Sequence, residues 1–228
     1  QPIQVLSQQE EAAHVVRGLT LNVPEASGLV ADLGGGSIEI VALKKGEIQH
    51  LVSLNYGHLS NADEAEIIAA FTQIGWIKSF AAKQLFGVGG SFRALGSAFI
   101  EREDYPLPVL HGLKISSDMV MTLCDDFIQP NPALDGVPMA RRSTMPMAAK
   151  IIRALVDIAA VRRVIVSGTS IRDGVVAINE LNETQRADFL VAISQEIAGA
   201  SGRFVGVSDA LKQFLQPLTI GRKPSFAR

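Results

Sequence analysis

The sequence predicts an α/β fold, and three features carry that expectation. Apolar runs of strand length occur at 28–33, 85–88 and 164–166, glycine turns follow the first two directly, and amphipathic segments of helix length lie between them. Strand, glycine turn and helix therefore recur in order. At 228 residues the chain has material for one large domain or two small ones, and 47% apolar with 19% charged residues excludes disorder and low-complexity character. Lys+Arg 21 against Asp+Glu 23 leaves no basic excess of the kind that marks a nucleic-acid binder. The single cysteine, Cys124, rules out an internal disulfide and a multi-cysteine zinc site, and points to a reducing compartment, the cytoplasm. The apolar stretch Ala154–Val166 is interrupted by Asp157, Arg162 and Arg163, so no membrane span is expected. The chain opens on Gln1, and Gln1–Glu11 lacks the pattern of a secretory signal, so it is expected to be a piece of a longer protein.

The elements follow from local signals. Ile3–Leu6 is a short strand-like run, and Ser7-Gln8-Gln9-Glu10 has the capping-box spacing that starts a helix over Gln8–Leu21. Gly28–Leu33, Ser37–Leu43 and Glu47–Leu54 read as an antiparallel meander, turned at Gly34-Gly35-Gly36 and at Lys44-Lys45-Gly46. Ser60 or Asn61 is positioned to cap a helix with Asp63, Glu64 and Glu66 in its first turn and a stripe of Ile67, Ile68, Phe71, Ile74 and Phe80. Leu85–Val88 is a fourth strand, followed by a helix in which Phe92, Leu95 and Phe99 recur. Residues 101–142 read as an insertion or scaffold containing one helix, Ser117–Phe127. Thr144 is the expected cap of a helix with Pro146 in its first turn and Ile151, Ile152, Leu155 and Ala159 inward. Val164-Ile165-Val166 makes a fifth strand and Ile171–Leu181 the next helix; Thr184–Ala200 and Val207–Leu215 read as two further amphipathic helices.

The chemistry concentrates at Asp32-Leu33-Gly34-Gly35-Gly36-Ser37-Ile38-Glu39. Glycine allows positive φ and close backbone approach, so successive amides can converge on a phosphate oxygen, with the Ser37 hydroxyl as a further donor. Three glycines alone make a plain hairpin just as well. The flanking acids change the balance: paired strands would set Asp32 and Glu39 beside the turn, where two carboxylates suit Mg²⁺. In the capping box Glu10 has a structural role, which leaves Glu11 as either a solvated helix residue or a general base for water. Gly87-Val88-Gly89-Gly90-Ser91 precedes a helix whose amides favour phosphate, and Arg93 lies just inside it; a tight turn and a surface arginine are the plainer alternatives. For Arg172-Asp173-Gly174 the plain reading is an ion pair or a cap. His14, His50, His58 and His111 have no zinc spacing, Cys124 has no nucleophile signature, and Arg141-Arg142 and Arg162-Arg163 read as solvated or capping charges.

Taken together, Ser7–Ala12, Val30–Glu39, Gly87–Ser91 and Ser167–Gly174 resemble the exopolyphosphatase and guanosine pentaphosphate phosphatase family over roughly Ile3–Leu181. That resemblance implies a fold of the actin, sugar kinase and heat-shock ATPase superfamily, with two ribonuclease-H-like lobes and the active site between them. It implies that residues 1–27 are the last strand and connecting helix of a first lobe, 28–182 a second lobe with a mixed five-stranded sheet, and 183–228 the start of a helical C-terminal segment. It assigns the catalytic glutamate to Glu11, the metal-side acids to Asp32 and Glu39, and phosphate binding to Gly34, Gly35, Gly36 and Ser37, with Gly89, Gly90, Ser91 and Arg93 as further phosphate contacts. The implied activity is metal-assisted removal of terminal phosphate from polyphosphate, guanosine pentaphosphate or both, with Mg²⁺ as cofactor and a homodimer of the full-length protein as an oligomer. This chain alone would be a poor catalyst. The sequence departs from the family pattern at Gln8 (often Gly), Ile38 (usually Thr), Thr144 (frequently Asp) and Gly168 (commonly Asp), which bears on substrate preference. Two other functions suit the same residues: a sensor that binds polyphosphate or a guanosine alarmone without turnover, and a nucleotide-dependent kinase.

Overall fold

The computed structural model describes residues 5–80 and 84–179. Its helices are α1 (Gln8–Thr20), α2 (Glu64–Thr72), α3 (Gly90–Arg102), α4 (Ser117–Ile128), α5 (Met145–Ile158) and α6 (Ile171–Asn179). Its strands are β1 (Gly28–Leu33), β2 (Ile38–Lys44), β3 (Glu47–Leu54), β4 (Leu85–Val88), β5 (Lys114–Ser116) and β6 (Arg163–Val166). They form one mixed sheet in the order β3-β2-β1-β4-β6-β5, in which β1, β4 and β6 run parallel and the other three run antiparallel to their neighbours. This is the ribonuclease-H-like arrangement, with one strand more than the five expected. The addition is β5, which pairs with β6 inside the segment read from sequence as an insertion. Three residues with a single apolar member are too few to show a period of two, so pairing alone makes this a strand.

Alternation along the central strands sends their side chains to two layers. Leu29, Ala31 and Leu33 of β1 and Ile38, Ile40 and Ala42 of β2 pack with Phe71 of α2, Phe92 and Leu95 of α3, and Ile151, Ile152 and Leu155 of α5. Val30, Val41, Phe86 and Val88 point the other way, onto Ala12, Val15, Val16 and Leu19 of α1. Burial on both faces explains why β1 and β2 read as continuous apolar runs. Asp32 and Glu39 fall in the second set, so two acids lie on the face that α1 covers.

Several element boundaries differ from the sequence reading. Asp63, not Ser60 or Asn61, caps α2: its Oδ1 accepts the Glu66 amide at 2.8 Å, and Glu66 Oε2 accepts the Asp63 amide at 3.1 Å. That helix stops at Thr72, so Ile74 and Phe80 lie beyond it, and Ile68 is exposed. Thr144 holds the cap position of α5 without capping, because its hydroxyl donates to the Arg141 carbonyl at 3.2 Å. Val5 and Leu6 are not in a strand; the rest of the run at Ile3–Leu6, the last two residues of Ile171–Leu181 and both helices read beyond it lie outside the described residues.

α1 and α6 cross at two glycines. A Cβ on Gly18 would lie 2.6 Å from the Ser170 carbonyl oxygen, and one on Gly174 would overlap the His14 carbonyl. Close approach is what packs α1 against α6. Gly174→Ala is therefore expected to destabilise the chain by about 1–3 kcal/mol through overpacking, read as a lower thermal midpoint, while alanine at the open Gly75 should leave it unchanged.

Candidate active site at the carboxylate and glycine-turn end of the sheet

The site begins with how α1 starts. Ser7 Oγ accepts the Glu10 amide at 3.3 Å and Glu10 Oε2 accepts the Ser7 amide at 2.8 Å, which closes the capping box. Those bonds hold the Glu10 carboxyl below its ordinary pKa. Glu11, the next residue, takes no part in the box. Its pKa is instead raised, first by burial and then by the negative charge of Glu39. A glutamate so placed holds protons more readily than a surface one, as a base for water requires.

Asp32 and Glu39 are register partners across the antiparallel β1–β2 pair. Glu39 is only 4% exposed, and its Oε1 accepts hydroxyl bonds from Ser37 at 2.7 Å and Ser53 at 2.8 Å. Its other oxygen has no protein donor among the described residues. Asp32 is pushed up from 3.8 to about 6, mainly by burial, then by the charges of Glu39 and Glu11, with Arg93 pulling the other way. Like charges opposite one another in a sheet are unfavourable. Such a pair is relieved by a shared proton or by a cation, and the two acids fit an oxygen-seeking divalent ion. No three His, Cys, Asp or Glu side chains among the described residues gather closely enough to hold a metal ion by themselves. A cation at Asp32 and Glu39 would depend on waters and phosphate oxygens for the rest of its shell, which is how Mg²⁺ is commonly bound.

The turn between the acids is tied down on its carbonyl side. Gly34 N–H donates to the Ser37 carbonyl at 3.0 Å, while the Gly34 and Gly35 carbonyls accept the His58 and Leu59 amides at 3.1 and 2.9 Å. The amides of Gly35, Gly36 and Ser37 have no acceptor among the described residues, so the free donors of this turn are all N–H groups. None of the three glycines has positive φ. Close approach involves Gly35 alone: a Cβ on it would press Leu59 at 3.2 Å, and one on the facing Gly57 would overlap the Gly35 carbonyl, whereas Gly36 faces open space. The Ser37 hydroxyl gives its proton to Glu39 and is not the free anion donor that the sequence suggested.

The second glycine turn closes over the same acids. Gly89 caps α3 with φ of 96°, and a Cβ there would stand 2.9 Å from Asp32 Oδ1, so both conformation and space require glycine. Gly90 and Ser91 begin the helix, and Ser91 Oγ is buried with no hydrogen-bond partner among the described residues. Arg93 is half-buried in the first turn and feels Asp32 without forming an ion pair. The third strand end is internally satisfied: Ser167 N–H donates to the Gly87 carbonyl at 2.8 Å, and Gly168 N–H donates to His111 Nδ1 at 3.0 Å. Asp173 accepts the Ser170 amide at 2.7 Å, the capping role expected of it. Ser53, His58 and Arg141 also belong to this region; the sequence does not single out Ser53, it gives His58 only as lacking zinc spacing, and Arg141, which reads there as a solvated or capping charge, is instead half-buried against His58. Ser53 becomes visible only once β3 is registered against Glu39, and Arg141 lies 83 positions from His58, whose Nε2 meets its Nη1 at 3.3 Å.

With the geometry in place, comparison with known proteins is informative. The model of the Ppx/GppA phosphatase family matches residues 1–183. The chain belongs to the Ppx/GppA phosphatase family. It is 25% identical over 195 residues to a guanosine-5'-triphosphate,3'-diphosphate pyrophosphatase of Pseudoalteromonas atlantica, covering 76% of this chain and 38% of that one. Its fold is similar to an exopolyphosphatase from Cytophaga hutchinsonii, with TM-score 0.64, 21% identity, and coverage of 76% and 64% of the two chains. It is also similar to the Aquifex aeolicus Ppx/GppA family member, with TM-score 0.58, 21% identity, and coverage of 78% and 64%. The chain thus spans 38% of that curated relative and 64% of each of these two structures. No helix among the described residues is long and apolar enough to cross a membrane.

The raised Asp32 pKa sets a pH dependence. Its folded value, about 6, exceeds the ordinary 3.8, so the cost of ionising it is absent below about pH 4 and grows as pH rises through 6. Asp32→Asn should raise the thermal midpoint of cation-free protein at pH 7, by roughly 1–3 kcal/mol in stability after solvent screening, and the gap should close toward pH 4. Millimolar Mg²⁺ should stabilise the parent chain more than the variant.

Proposed function

We propose that this chain supplies the wall of a phosphoanhydride hydrolase cleft that carries Glu11, Asp32, Glu39 and both glycine turns. In this reading residues 28–182 form the phosphate-binding lobe, and the substrate is inorganic polyphosphate, guanosine pentaphosphate or both. One observation carries the reading: three acids on the α1 side of the sheet adjoin a turn whose only uncommitted donors are amides. The similar proteins, an exopolyphosphatase and a guanosine-5'-triphosphate,3'-diphosphate pyrophosphatase, support the substrate class.

The residues divide the work. The Gly35, Gly36 and Ser37 amides receive oxygens of the terminal phosphoryl group, and the amides of Gly90 and Ser91 add the positive end of α3. Such preorganised donors stabilise charge on the transferred group. Ser37 and Ser53 fix one oxygen of Glu39, leaving the other, with Asp32, to hold a divalent cation. A bound Mg²⁺ would screen the phosphate charge from these acids and polarise the anhydride. Glu11 orients a water and takes its proton as the water oxygen bonds to phosphorus. The phosphorus–oxygen anhydride bond breaks, and its electron pair leaves with the shortened chain.

Phosphate release by the intact protein from polyphosphate and from guanosine pentaphosphate with Mg²⁺ tests the proposal. Glu11→Gln is expected to lower kcat by about 10²–10⁴-fold, the usual worth of a positioned base, with little change in tripolyphosphate binding. Binding without turnover, unaffected by that substitution, would instead identify a sensor.

A further inference from the structure

Parallel strands are normally covered on both faces of their sheet, and here one face is covered only in part. Val164 and Val166 of β6 and Ile115 of β5 belong to the core on the α3 and α5 side. On the other face α1 ends at Thr20, and the turn after it folds back, with the Asn22 and Val23 amides donating to the Leu19 carbonyl at 3.1 and 3.0 Å. Beyond that turn lies a cavity of about 590 Å³, within the size range of small-ligand sites. Phe86, Ile165, Val23 and Pro24 give it an apolar lining. Phe86, Ile165 and Lys114 are register partners in one row across β4, β6 and β5, so a cation ends the apolar row. The segment that carries His111 and Lys114 is fixed by two bonds: Gly112, at φ of 78°, donates to the Val166 carbonyl at 2.9 Å, and His111 Nδ1 accepts the Gly168 amide at 3.0 Å. A ring nitrogen that accepts carries no proton, so the neutral imidazole presents Nε2–H as its donor. β5 and β6 contribute cations alone, Lys114 and Arg163, the latter on the same face as Ile165 by alternation. Neither enters an ion pair among the described residues. Glu25, exposed on the loop after α1, is the one acid in the lining.

We propose that this cavity binds a small organic anion with an apolar body, its acid group held by the Lys114 ammonium and His111 Nε2–H and its hydrocarbon laid on Phe86 and Ile165. The two halves of the lining select the ligand together. An inorganic anion would leave the apolar surface in water, where its burial gains nothing, and a hydrocarbon amine would bring a second positive charge to Lys114. An apolar acid satisfies both. Glu11, Asp32, Glu39 and the glycine turns are not among the walls of this cavity, so the proposal stands apart from the hydrolase reading.

Calorimetric titration of the 228-residue chain with octanoate, octylamine and acetate, at pH 7 and fixed ionic strength, tests this. Octanoate should bind at least about tenfold more tightly than octylamine, which has the same chain length and the opposite charge. Acetate, which lacks the chain, should show no saturation. Lys114 is exposed on an edge strand, so substitutions there leave the core intact. Lys114→Gln should weaken octanoate binding about tenfold, as loss of a charged hydrogen-bonding partner does, and Lys114→Glu should reverse the order of the two long-chain ligands. Lys44→Gln removes the same charge at the end of β2 and should change neither. Equal affinity of the parent for octanoate and octylamine, unchanged octanoate binding in Lys114→Gln, or an equal loss in Lys44→Gln overturns the assignment, as does a parent chain that binds no octanoate.

Discussion

Two carboxylates facing each other across the β1–β2 pair are the constraint on which the rest of this end of the molecule depends. Asp32 and Glu39 are forced together by register on the sheet face that carries α1, where Glu39 is buried and Asp32 half-buried. Left to themselves they repel, and the lifted pKa of Asp32 records that repulsion together with burial. The neighbours do not neutralise it. Ser37 and Ser53 satisfy one oxygen of Glu39, and Arg93 offsets part of the charge on Asp32, but no cationic side chain among the described residues pairs with either acid. An arrangement that costs folding energy and is left uncompensated by protein groups is the usual mark of a site that receives something from outside.

What it receives is indicated by the surrounding donors. Carbonyls of the first glycine turn are consumed by the His58 and Leu59 amides, so the turn presents N–H groups. The second turn brings a helix N-terminus within contact of Asp32, and only a glycine at position 89 permits it. Acids, amides and a helix end within one small volume accommodate a cation and an anion side by side. Phosphate chemistry satisfies both demands, and the chain belongs to the Ppx/GppA phosphatase family. The parallel strands β1, β4 and β6 all deliver their C-terminal ends here, the usual location of ligand sites in open α/β sheets.

Much of this was legible in the sequence because it is local. The capping box at Ser7 and Glu10, the strands at β1, β2, β3, β4 and β6, and the acid–glycine–acid order each reside in fewer than about ten consecutive residues, the range over which periodicity and turn chemistry act. Subtracting the structural role of Glu10 isolated Glu11 correctly as the carboxylate free of the cap. The failures are of another kind. β5 has too few residues to declare a pattern, α2 is shorter than its apolar stripe because the chain turns after Thr72, and Thr144 turns its hydroxyl back to Arg141.

By itself the sequence determined which residue types line the turns, the order of the main elements and the family, since these rest on composition, periodicity and motif order. Tertiary structure alone decided that the Ser37 hydroxyl serves Glu39, that Ser53 joins it from a third strand, and that Arg141 reaches α3 beside His58. Those pairings depend on where separate segments meet in space, and neither propensity nor spacing along a chain encodes a distance between residues 83 positions apart. The pKa of Asp32 belongs to the same class, because its burial and the charges of Glu39 and Glu11 beside it exist only once the sheet has formed and the helices have docked.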